Sequence, residues 1–132
     1  MIVEDEIRLA LDLKAELNNM GYEGCKYVTN GIDAIKNVEQ VKPDIVLMDI
    51  ILEGEMNGIE AAREIYSRQK TPIIFIARCI DEGAKNLAEK FVGNVEFLLK
   101  PVKSEDLQLA IERVLQRKYE ENKMADQKRK EV

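Results

Sequence analysis

The sequence predicts an α/β fold, a parallel sheet covered by helices on both faces, and three features of its 132 residues carry that prediction. Five short runs rich in β-branched and other apolar residues alternate with stretches whose apolar residues recur at helical spacing. Turn and cap residues stand at the junctions. The run "PDIVLMDI", residues 43–50, holds four consecutive apolar residues, as a strand buried on both faces does.

Taken in order, Ile2-Val3 is the first and shortest strand. Ala10, Leu13, Leu17 and Met20 then form the apolar stripe of a first helix, which Gly21 and Gly24 follow. Cys25 to Thr29 reads as a second strand, and Asn30-Gly31 opens a second helix with Ile32, Ile35 and Val38 as its stripe. Ile45 to Met48 is the third strand, with Asn57-Gly58 opening a third helix along Ile59, Ala62 and Tyr66. The fourth strand spans Ile73 to Ala77. Asp81 caps a fourth helix whose Ala84, Leu87, Ala88 and Phe91 fit the full i, i+3, i+4, i+7 template. Val95 to Leu99 is the fifth strand, and Ser104 opens a fifth helix built on Leu107, Ala110, Ile111 and Val114. Beyond it the stripe stops, so residues 119–132 read as a charged, solvated or frayed helical extension or linker.

Composition narrows the chemistry. With 45% apolar and 34% charged residues the chain suits one domain with a real core. It shows no apolar run long enough for a membrane span and no signal-peptide pattern, which predicts a cytoplasmic protein. Histidine is absent, which removes Ser/His and Cys/His nucleophile pairs and His-ligated zinc. Cys25 and Cys79 lack metal or redox spacing and read as reduced, inert thiols. A net charge of -5, from 20 basic and 25 acidic residues, lacks the basic excess that a nucleic-acid backbone demands, so no direct nucleic-acid partner is expected.

In a doubly wound sheet every strand's carboxyl end lies on one edge, where ligands bind. Glu4, Asp5 and Glu6 follow the first strand, Asp49 the third, Ala77, Arg78 and Cys79 the fourth, and Lys100 and Pro101 the fifth. Carboxylates about 4 Å apart at an effective dielectric near 20 repel by roughly 4 kcal/mol per pair. A lysine offsets part of this, and a hard divalent cation bound by converging oxygens offsets the rest. Acids opening a helix also favour its positive N-terminus, which accounts for Glu6 but not for Asp49.

The segments "IVEDE", "DIVLMDIILEGEMNGIEAA", "TPIIFIA" and "FLLKP" occur in the order and spacing of two-component response-regulator receiver domains, which residues 1–118 resemble. The resemblance implies a flavodoxin/CheY-like sheet of five strands in the order 2-1-3-4-5. It matches Asp49 to the phosphoacceptor, Glu4 and Asp5 to the acidic pair, Lys100 to the invariant lysine, and Ile51 to the position whose backbone carbonyl completes an Mg²⁺ site with Glu4, Asp5 and Asp49. It implies a sensor histidine kinase as phosphoryl donor and a downstream effector protein as partner, with signalling rather than turnover as the output. It also brings a homodimer through the fourth and fifth helices within view.

Two switch positions depart from the family pattern. The usual Thr or Ser is Ala77, followed by Arg78 in place of a small residue, and the switch aromatic is Phe97. Arg78 reads either as a phosphate partner or as a solvated side chain. Ile51 and Cys79, which flank the path of hydrolytic water in the family, are apolar here, which implies slow self-dephosphorylation. Other readings stay open: a pseudo-receiver acting as a constitutive interaction scaffold, or a receiver module of a larger hybrid sensor kinase. A flavin-binding relative fits poorly because "EDE" repels a phosphate, and an aspartyl-phosphate phosphohydrolase lacks its second Asp at Ile51.

Overall fold

The structure, a computed structural model, describes residues 1–130. Strands β1 (Ile2–Val3), β2 (Tyr27–Val28), β3 (Val46–Asp49), β4 (Ile73–Ala77) and β5 (Val95–Leu99) form one parallel sheet in the order β2-β1-β3-β4-β5. Helices α1 (Ile7–Asn19), α2 (Gly31–Val41), α3 (Gly58–Gln69), α4 (Glu82–Phe91) and α5 (Ser104–Lys130) connect and follow them. None is long and apolar enough to cross a membrane.

Strand side chains alternate between faces, and that alternation sorts the core into two layers. Ile73 and Phe75 of β4 pack with Val46 and Met48 of β3 beneath α2, α3 and α4. Ile74 and Ile76 pack with Ile2 and Leu47 beneath α1 and α5. The stripes Ala10, Leu13, Leu17 of α1 and Leu107, Ala110, Ile111, Val114 of α5 are buried as their spacing requires. Asn30, Asn57 and Asp81 cap α2, α3 and α4, each accepting a backbone N–H three residues on; at Asn57 the Glu60 side chain returns the bond, closing a capping box.

Five details differ from the sequence reading. The second strand is Tyr27–Val28 rather than Cys25 to Thr29, because β1 offers only Ile2 and Val3 for pairing. The third strand runs one residue further, to Asp49, which pairs with Ile76. In α2, Ile32 is exposed while Gly31, Ala34 and Val38 face inward. Close approach to α3 selects the small residues, since a Cβ on Gly31 would lie 3.0 Å from that of Ala61. On α4 only Ala88 of the four stripe residues is fully buried and Leu87 is exposed; β5 is an edge strand, so nothing beyond it covers the helix's outer flank. Finally, Lys103 rather than Ser104 supplies the first helical carbonyl of α5, to the Leu107 N–H, and the Ser104 hydroxyl donates to Glu16 at 2.6 Å.

Past its buried stripe α5 continues unbroken to Lys130, 27 residues in all, about 40 Å of helix. Tyr119 and Met124 in this stretch are exposed. Residues 131 and 132 of the expected extension lie outside the described residues.

Candidate functional site

The same alternation assembles the chemistry. Glu4 lies two residues beyond Ile2, Asp49 two beyond Leu47 and Lys100 two beyond Leu98, and those three apolar residues all pack in the α1/α5 layer. Each polar side chain therefore emerges at the carboxyl edge on that side of the sheet. Lys100 Nζ donates to Glu4 Oε1 at 2.9 Å and to Asp49 Oδ2 at 3.1 Å. Both acids are buried, so this is a desolvated cluster rather than a surface ion pair.

Backbone donors hold one further oxygen on each of the two aspartates. The Ile51 N–H donates to Asp49 Oδ1 at 3.1 Å, and the Glu53 N–H to Asp5 Oδ2 at 3.2 Å. Thus the loop after β3 fastens both Asp49 and the acid that follows β1. The Ile51 side chain itself points away, 71% exposed, and its part here is played by the backbone.

The electrostatics follow from burial. Desolvation pushes the Glu4 carboxyl up to about 8, and its hydrogen bond with Asp49 adds to this against the opposing pull of Lys100. Burial by itself pulls Lys100 down, but its hydrogen bonds to Glu4 and Asp49 outweigh that and hold its ammonium above the usual lysine range. Glu4 Oε2 is buried with no hydrogen-bond partner. One oxygen each from Glu4, Asp5 and Asp49 lies within 4.8 Å of the others. Several hard oxygen donors, one of them orphaned, are the donor chemistry that Mg²⁺ takes up.

At the neighbouring strand end Ala77 is buried and presents only a methyl group, while Arg78 and Cys79 are exposed. Phe97 is packed inward, its ring stacked on Phe75 at 5.6 Å between centroids, with Lys85 Nζ 5.8 Å above it. Sequence reasoning missed Gly58, whose N–H donates to the Ile50 carbonyl at 2.8 Å and whose missing side chain lets α3 begin against the backbone of Asp49. The Asn57-Gly58 pair signalled a helix start and gave no hint of what lay against it. Also missed was Asn94, buried, which donates to the Val114 carbonyl at 2.8 Å and accepts from Arg117 at 3.3 Å, tying α5 to the sheet.

A doubly wound sheet in the order β2-β1-β3-β4-β5 with an acidic cluster and a lysine at its carboxyl edge defines a receiver module. The chain belongs to the response regulator receiver domain family, whose model matches residues 1–112. It is 34% identical to the chemotaxis protein CheY of Thermotoga maritima over 101 residues, 76% of this chain and 83% of that protein. The transcriptional regulatory protein PdtaR of Mycobacterium tuberculosis is 35% identical over 121 residues, 89% of this chain but 56% of PdtaR. Among solved structures, the signal receiver domain of a modulated diguanylate cyclase from Desulfovibrio desulfuricans G20 superposes with a TM-score of 0.81 at 33% identity, covering 90% of this chain and 94% of that one. As a receiver domain the protein is a signalling module.

Proposed function

We propose that the domain accepts a phosphoryl group from a sensor histidine kinase onto Asp49 and passes the signal to an effector protein by surface contacts. The observation that carries this reading is the double hydrogen bond of Lys100 to Glu4 and Asp49 beside Asp5. A carboxylate oxygen of Asp49 attacks phosphorus in line; the bond from phosphorus to the donor's imidazole nitrogen breaks, its electron pair staying on that nitrogen. Glu4, Asp5, Asp49 and the Ile51 carbonyl are the residues that would hold Mg²⁺, which when bound offsets charge on the phosphoryl oxygens. Lys100 is already within bonding distance of the acceptor and pairs with the incoming phosphoryl group. The buried strand and the Ile51 N–H fix the direction in which Asp49 presents its oxygens, so little conformational freedom is lost at the moment of attack.

Ile51, two residues past the acceptor, Ile7 and Leu11 of α1 and Leu99 at the end of β5 are exposed apolar side chains that suit docking of the donor's helices. The exposed flank of α4, with β5 and α5, is the surface we assign to the effector or to a second copy. The free thiols of Cys25 and Cys79 accord with a cytoplasmic location. We divide the chain into a receiver, residues 1–118, and a charged helical extension or linker, residues 119–132, which would serve equally in a receiver module of a larger hybrid kinase.

One observation favours a second reading, a constitutive scaffold: Phe97 already stacks on Phe75 and Ala77 has no hydroxyl to draw the next loop inward. Incubation with a small-molecule phosphodonor and Mg²⁺, followed by intact-mass measurement, separates the two. The receiver reading expects one phosphoryl adduct on the wild type and none on Asp49→Asn. No adduct on the wild type would leave the scaffold.

A further inference from the structure

Arg78 stands directly past the end of β4, exposed, and its guanidinium meets no acid among the described residues. Arg8 and Arg63 likewise lack an acid partner, whereas Arg68, Arg113 and Arg117 each pair with one or more carboxylates. Free arginines on a surface are common and carry nothing by themselves. The position of this one is informative.

Asp49 is the register partner of Ile76, and Arg78 lies two residues beyond Ile76, just outside the strand. On its other side Ala77 is the register partner of Leu99, and the Lys100 N–H donates to the Ala77 carbonyl at 2.8 Å, closing the last pair of the β4–β5 ladder. Arg78 and Lys100 each follow that last pair directly, at the same end of adjacent strands. Adjacent strands are about 5 Å apart, within the reach of an arginine side chain. Arg78 is thus flanked by the strand that carries the acceptor and the strand that carries the lysine.

The charge balance of the site leaves work for a second cation. Lys100 is shared between two carboxylates before any phosphoryl group arrives. A phosphoryl group brings between one and a half and two negative charges, roughly, with three acceptor oxygens. Ala77, which ends β4, has only a methyl group and no side-chain hydrogen to donate. The guanidinium presents its N–H donors as a planar fork that matches two phosphoryl oxygens at once.

We infer that Arg78 folds over the phosphoryl group on Asp49 and donates a bidentate pair of hydrogen bonds to the oxygens that face β4, in place of the hydroxyl that Ala77 lacks. The inference rests on the receiver reading above and deepens it. Because the side chain has no partner to give up, it costs the unphosphorylated domain nothing to hold it in reserve. Folded over, it also screens the acyl phosphate from water on the β4 side.

The test is the affinity for beryllofluoride, a phosphoryl mimic, in saturating Mg²⁺, read by fluorine NMR for the wild type, Arg78→Ala and Arg78→Lys. Losing a charge-assisted pair weakens binding about tenfold or more in Arg78→Ala, and Arg78→Lys recovers part of the loss. Mg²⁺ affinity without beryllofluoride does not fall in either variant, which a general disturbance of the site would not allow. Equal beryllofluoride affinity in wild type and Arg78→Ala overturns the assignment of Arg78 alone. No uptake by the wild type overturns the receiver reading, and this one with it.

Discussion

The carbonyl of Asp49 occupies the space that a side chain on Gly58 would need: a Cβ built on Gly58 overlaps that oxygen and lies 2.9 Å from the Ile50 Cα. The contact is backbone against backbone, so no rotamer change relieves it. Gly58→Ala should destabilise the domain by about 1–3 kcal/mol and displace the acceptor strand. Urea denaturation gives the first figure. Phosphodonor incubation should show a slower or absent adduct even where the variant remains folded; full stability with unchanged acceptance would contradict the packing described.

Glu4 ties stability to pH. Its folded value of about 8 lies above its ordinary 4.5, so between those two the native state holds a proton that the unfolded chain releases. The stabilisation is complete below 4.5 and is lost as pH rises through 8. Without divalent metal, the domain should lose on the order of 2 kcal/mol between pH 6 and 9. Thermal melts in chelator measure this, and Glu4→Gln should flatten the curve. Because oxygen ligands bind Mg²⁺ in their deprotonated form, saturating Mg²⁺ should also flatten it, with a proton released on binding. A melting temperature that rises from pH 6 to 9 in chelator would reverse the sign argued here.

Asn94 should act on stability alone. Buried, it satisfies the Val114 carbonyl and receives Arg117, far along the sheet from the carboxyl edge. Asn94→Ala removes this side-chain bond to the helix and the Arg117 contact, at a cost of about 0.5–1.5 kcal/mol. The urea midpoint should fall while the rate of adduct formation from the small phosphodonor holds. A slowed rate in a fully folded sample would show coupling between the α5 anchor and the site.

The acyl phosphate should be long-lived. Ile51 and Cys79 are exposed at the rim, and neither side chain orients a hydrolytic water well. After the donor is removed, the adduct should decay faster in Ile51→Gln, whose amide both donates and accepts, than in the wild type. Intact-mass measurement over time gives both rates, and equal decay would remove Ile51 from the account.

Much of this was legible in residues whose neighbours enforce them. Ile73 to Ala77 is legible to the residue, because a parallel strand buried in the sheet reads as an unbroken apolar run; Val95 to Leu99, an edge strand that carries Glu96, is legible from its apolar residues and the turn signals that bound it. Glu4, Asp5, Asp49 and Lys100 could be drawn to one edge from topology, since strand ends share an edge whatever the loop lengths. What failed depended on tertiary choices with no local signal. Ile32 reads as core until α3 approaches closely enough to prefer Gly31 and Ala34. Leu87 fits the apolar stripe of α4, yet in the fold it lies on the exposed flank of that helix. Gly58 shows in the sequence only as the second half of an Asn-Gly pair, and its closeness to Asp49 is a property of the fold alone.

The most direct measurement is a crystal structure of the domain with Mg²⁺ and beryllofluoride. It should show the mimic bonded to an Asp49 carboxylate oxygen, the ion held by Glu4, Asp5 and Asp49 with the Ile51 carbonyl, and Lys100 moved from Glu4 onto a fluorine. An Asp49 left bare, with Lys100 still clasped between Glu4 and Asp49 and the ion bound elsewhere, would contradict the claim that these side chains form a single phosphoryl-accepting pocket.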